Sequence, residues 1–136
     1  MINFSTAAFT KMDHAGPGEA ESLLDGMLLS GETVHAAFKG ANKVWAVFTD
    51  RRLIAVTAQG MTGRKRDYTT LPYSGISAAS VDANGGFDAG AGMDLWWGGL
   101  GFSMLGTVPS PCILGLEFVP GVDVLALERF VLERML

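Results

Sequence analysis

Only one cysteine, Cys112, occurs in 136 residues, so no internal disulfide can form and a disulfide-stapled secreted fold is excluded. Histidine is nearly as scarce. His14 lies in the N-terminal segment and His35 in a strand-like run, and neither has a sequence-local partner for nucleophilic catalysis. Cys112 follows Pro111 with nothing nearby to activate a thiol, and it reads as a small hydrophobe. Positive charge is also short. Ten Lys and Arg stand against fourteen Asp and Glu, for a net charge of −4 and a pI near 5.0, which removes nucleic acid as a bulk electrostatic partner. The opening "MINFSTAAFTKMDHAG" has no charged n-region followed by a continuous apolar run, so the expected location is the cytoplasm.

One long stretch lacks charge altogether, from Leu95 to Leu116, and its length suits a bilayer span. It is broken by Gly98, Gly99, Gly101, Gly106, Gly115, Pro109 and Pro111, and "TVPSP" divides it into two runs of strand length. Any membrane contact is therefore expected to be peripheral. Metal and phosphate motifs fail in detail as well. "DANGGFDAGAGMD" spaces Asp82, Asn84, Asp88 and Asp94 somewhat as a calcium loop does, but Gly86 takes a ligand position and Met93 replaces the bidentate glutamate. "GGLGFSMLG" lacks both the spacing and the lysine of a phosphate-binding loop. No cofactor, resident metal or catalytic residue is expected.

Glycine and apolar side chains are plentiful. Eighteen glycines are roughly twice the usual ~7% share, which favours many tight turns, and 49% hydrophobic residues suffice for one core. Residues 1–18, with the "AGPG" break, read as a loosely ordered N-terminal segment, and 19–136 as one domain. "EAESLLDGMLLSGE" predicts a short helix ending near Gly31. Strands follow at 32–39, 43–50, 51–58, 64–71 and 76–83, separated by turn chemistry such as "GAN", "QGMTG" and "PYSG", with two more at 93–99 and 111–119.

After Pro120-Gly121, "VDVLALERFVLERML" is a helix. At 100° per residue it carries one stripe of Val124, Leu127, Val131 and Met135 and a second of Leu125, Leu132 and Leu136, with Glu128 between them. The expectation is a mainly β fold: seven antiparallel strands closed into a barrel and capped by the C-terminal helix. In 43–50 both faces are apolar, and Trp96 and Trp97 must face opposite sides of a strand. Trp45, Trp96, Trp97, Leu125 and Leu132 are thus the candidate interface residues of a homo-oligomer.

"GETVHAAFK", "FTDRRLIAV", "QGMTGRKRDYTTLPYSGI" and "DANGGFDAGAGMDLWWGG" together resemble the bacterial pleckstrin-homology-like family, over roughly residues 20–136. The resemblance implies a pleckstrin-homology-type barrel with a C-terminal helix, oligomeric association often as a ring, and no established enzymatic activity. It leads to a scaffold or protein-binding module as the expected function. The alternative is a peripheral binder of anionic lipid or phosphorylated ligand, through Arg64 and Arg66 of "GRKRDY" with Lys39 and Lys43. Alternation places Arg64 and Arg66 on one face and Lys65 on the other, which weakens that patch and suits a charged edge strand.

Overall fold

The computed structural model describes residues 9–59, 65–83, 90–98 and 112–136. They form two compact units, Met1–Pro72 and Tyr73–Leu136. The first contains β1 (Asp13–Ala15), α1 (Pro17–Leu23), β2 (Val34–Lys39), β3 (Trp45–Thr49), β4 (Arg52–Gln59) and β5 (Lys65–Pro72). In the second are β6 (Ile76–Ala83), β7 (Ala91–Trp97), β8 (Cys112–Phe118) and α2 (Val124–Met135).

Within each sheet every strand pairs antiparallel with its neighbours in the sequence, giving a five-stranded sheet β1-β2-β3-β4-β5 and a separate three-stranded sheet β6-β7-β8. The closed seven-stranded barrel expected from the sequence is therefore not formed. The described residues hold eight strands in two sheets. Pro72 has no N–H to continue the β5 ladder, and the 3₁₀ turn Tyr73–Gly75 then redirects the chain, so β6 begins a new sheet.

β1 is the strand that sequence patterning missed. It lies within residues 1–18, pairing Asp13 with Lys39 and Ala15 with Ala37, while Phe9 and Met12 ahead of it are buried. Gly40 permits this docking. A Cβ there would run into the Met12 sulfur and stand 2.8 Å from the Thr10 carbonyl oxygen, and the same carbonyl accepts a 3.1 Å hydrogen bond from the Ala41 amide.

Helix α1 is shorter than the expected run to Gly31. Pro17 opens it, and past Leu24 the chain folds into turns, with Met27 N–H donating to the Leu24 carbonyl at 2.8 Å and Gly26 at φ +78°. Its buried Ala20, with Leu24, packs on Trp45, Val47, Ile54, Val56 and Ala37, which share one face of the five-stranded sheet. The opposite face holds Phe38, Ala46, Phe48, Leu53, Ala55 and Leu71, all buried, with Phe38 and Phe48 edge to face at 5.9 Å. β3 is buried on both faces, as its apolar pattern requires.

In the second unit Met93, Leu95, Trp97, Leu114, Leu116 and Phe118 turn inward by strict alternation. Asp123 caps α2 by accepting the Ala126 N–H at 3.1 Å. The helix buries Val124, Leu127, Phe130 and Val131, and Phe130 sits between the Tyr73 ring, edge on at 5.9 Å, and the Arg134 guanidinium, 3.6 Å from its centroid.

Candidate functional site

The most highly organised polar group in the structure is one the sequence conceals. Glu32 is buried two residues before β2, its side chain fully inaccessible, and Arg52 reaches it from the first position of β4. The contact is bidentate: Arg52 Nε donates to Oε2 at 2.9 Å and Nη2 to Oε1 at 3.0 Å. The Thr49 hydroxyl donates to Oε2 at 2.7 Å and accepts the amides of Arg51 and Arg52, and the Leu29 amide donates to Oε1 at 2.9 Å. Arg52 also donates to the Met27 carbonyl and to Thr70 Oγ1, which ties the loop after α1 and strand β5 into the same cluster.

Burial by itself would push the Glu32 carboxyl up. The Arg52 and Thr49 hydrogen bonds, the Leu29 amide and the Arg52 charge outweigh it and bring the group down from 4.5 to about 2. Beside this cluster Asp50 Oδ1 accepts the Thr33 amide at 2.9 Å, and the Asp50 amide donates to the Thr33 carbonyl at 3.0 Å. The Glu32 carboxylate and the Arg52 guanidinium are both spent on other parts of the chain, so the cluster ties loops and strands together.

The candidate cations divide. Arg64 lies outside the described residues. Lys43 sits in the β2–β3 turn with φ +59°, exposed. Lys39 and Arg66 come together more closely than alternation within one strand could reveal. Lys39 pairs with Trp45, Trp45 with Val56 and Val56 with Tyr68, while Arg66 is two residues before Tyr68, so both cations share one face at one end of the sheet. Three strand spacings separate them, on the order of 14 Å. Lys39 lies 5.6 Å from the Trp45 ring centroid and 3.5 Å from Glu19 Oε1, with both charged groups about half exposed. Lys65 and Arg66 are exposed on β5, the last strand in the order of its sheet.

The candidate interface residues separate in the same way. Trp45 is 6% exposed beneath α1, and Trp97 points into the second unit. Trp96 faces outward from β7, partly exposed, across from Ile113 at 43% exposure. On α2 the two stripes part as the helical period demands: Val124, Leu127 and Val131 are buried and Met135 half-buried, whereas Leu125 is 58% and Leu136 94% exposed, with Leu132 half-buried between them.

Among the described residues no three His, Cys, Asp or Glu side chains converge on a metal-sized site, and Asp82 and Asp94 point to solvent. Asn84 and Asp88 lie outside the described residues. Burial pushes the half-buried Cys112 thiol up, away from the reactive thiolate. His35 is exposed on β2 where the register shifts, and His14 stacks on Phe38 at 4.9 Å. Among the described residues no helix is long and apolar enough to cross a membrane.

A five-stranded antiparallel sheet that holds a buried ion pair, and a three-stranded antiparallel sheet followed by a C-terminal helix, describe a small β module of the pleckstrin-homology (PH) class. The chain belongs to the bacterial PH domain family, whose model matches residues 3–107. Its sequence is 45% identical over 73 residues to the uncharacterized protein YjqA of Bacillus subtilis strain 168, a match spanning 54% of this chain and 58% of YjqA. Two solved structures resemble the fold. One is a DUF1696 family protein with a PH domain from Shewanella loihica PV-4, at TM-score 0.70 and 25% identity, covering 93% of this chain and 99% of that one. The other is a PH domain from Shewanella amazonensis SB2B, at TM-score 0.60 and 28% identity, covering 90% of each.

Proposed function

We propose that this chain is a non-enzymatic, homo-oligomeric PH-like module of the cytoplasm that serves as a scaffold or docks a protein partner. The observation that carries this reading is the outer stripe of α2. Leu125, Leu132 and Leu136 repeat along one side of a helix whose other side is already packed, and an apolar stripe of that kind is stable in water when another surface covers it. The half-exposed Trp96 and Ile113 pair supports the reading in a second place. Light scattering at micromolar concentration is expected to return an oligomer that Leu125→Glu with Leu132→Glu reduces to monomers of unchanged circular dichroism. A monomeric wild type overturns the proposal.

A second reading, peripheral binding of an anionic lipid surface, is favoured by the placement of Lys39 and Arg66 on one face and one end of the sheet. Two such cations contribute about 2 kcal/mol near an acidic membrane, a salt-sensitive adhesion. Cosedimentation with phosphatidylserine vesicles at low salt is expected to fall when Lys39, Lys43, Arg64 and Arg66 are changed to Ala. Equal pelleting of both proteins rejects this reading.

A further inference from the structure

We infer that the outward face of the β6-β7-β8 sheet is a docking platform for an extended, arginine-bearing segment of a partner protein. The inference rests on the partner docking proposed above and adds the surface and the chemistry of the partner.

β7 runs down the centre of this sheet, and its outward residues Gly92, Asp94 and Trp96 form a row about 14 Å long. Beside Trp96 stands Ile113, beside Asp94 stands Gly115, and Gly92 lies between Asp82 of β6 and Glu117 of β8. Asp82, Asp94 and Glu117 are the only charged residues of these three strands, and all are exposed on this one face. Among the described residues none of the three carboxylates has an ion-pair partner. The unit that carries them, Tyr73–Leu136, holds seven acidic residues and two basic ones, so its field draws cations toward the face.

Carboxylates alone would make a solvated surface, but two other features of the row point to a ligand. Trp96 leaves part of its indole in water next to Ile113, whereas Trp45 and Trp97 are each 6% exposed. An indole beside a carboxylate seats a guanidinium, which stacks on the ring and pairs with the acid at once. Gly92 is the second feature. Its backbone does not require glycine, because a Cβ there would meet only ordinary contacts, 3.6 Å from the Leu116 carbonyl oxygen and 4.0 Å from the Asp82 Cβ. Glycine inside a strand weakens it and often marks the close approach of a ligand or another backbone. Here it leaves a notch walled by Asp82 and Glu117, which stand two strand spacings apart, on the order of 10 Å. Asp94 and the notch are about 7 Å apart, the spacing of alternate residues in an extended chain. One arginine thus reaches Trp96 and Asp94 while the next but one enters the notch.

The experiment is fluorescence anisotropy of a labelled Arg-Gly-Arg-Gly-Arg peptide titrated with the full chain at low salt, with tryptophan emission followed in parallel and circular dichroism to verify folding. Binding with a change in emission from Trp96 is the expected result. Trp96→Ala is expected to weaken it about fivefold, Asp82→Asn with Glu117→Gln about tenfold, and Gly92→Val about tenfold by filling the notch. The lysine counterpart of the peptide is expected to bind several-fold more weakly. Equal binding by wild type and Gly92→Val, or of the arginine and lysine peptides, is unspecific attraction to an acidic surface and overturns the platform, as does no binding. Light scattering on the same samples separates the two proposals. An oligomer that ignores the peptide rejects this surface and leaves the function proposed above standing, whereas a monomer that binds it keeps this surface and rejects the oligomer.

Discussion

Glu32 carries the largest electrostatic consequence of any single residue described. Its carboxyl falls from 4.5 in the unfolded chain to about 2 when folded, so the folded state favours the ionised form. A lowered carboxylate contributes stability fully above the unfolded value and loses it as pH falls toward the folded one. Linkage at about 1.4 kcal/mol per pH unit makes this on the order of 3 kcal/mol, lost between about pH 5 and pH 2. Denaturant midpoints measured across that range are expected to drop steeply for the wild type and more shallowly for Glu32→Gln. Arg52→Ala leaves the buried carboxylate without its counter-ion, and a loss of about 3–5 kcal/mol at neutral pH is the expected outcome of urea unfolding. The spacing of Glu32 and Arg52 explains why neither was legible as a pair. A glutamate next to "SG" at a strand start has the sequence character of a solvated residue, and "DRR" that of a turn; their meeting depends on the loop after α1 folding over the β3–β4 turn.

Among the elements, most of the strands were legible because glycine, asparagine and proline punctuate them, and all seven expected strands appear with ends moved by a few residues. Two errors share one cause. Alternation says that both faces of β3 are buried but not what covers them, and α1 supplies that cover within the chain, so Trp45 is a core residue. Closure of the barrel likewise depends on pairing at the sheet ends, to which a local pattern is blind. Leu24→Ala, at the C-cap of α1, removes a fully buried contact on this face and is expected to cost about 2–5 kcal/mol in chemical unfolding. Gly40→Ala tests the β1 junction. The added methyl must displace Met12 and the Thr10 backbone, so a destabilisation of about 1–3 kcal/mol is expected, with faster amide exchange at Ala37 and Lys39, opposite β1.

For the whole molecule the family could be read from short ordered motifs, while the anion-binding alternative turned on tertiary placement. "GRKRDY" shows three cations in a row; the fold leaves Lys65 and Arg66 on opposite faces of a terminal strand and sets Lys39, distant in sequence, on the same face as Arg66. The proposed self-association has a thermodynamic signature at this scale. Because an assembly binds only folded copies, the thermal midpoint is expected to rise with protein concentration in the wild type and to become independent of it in Leu125→Glu with Leu132→Glu.

The order of strands in each sheet is also the order in which a ribosome delivers them. Every described pairing joins one strand to the next, so each hairpin can close once its second strand has left the exit tunnel, without waiting for a distant segment. Loop-closure entropy is met in small steps, and the first five strands can assemble while Tyr73 onward is still being translated.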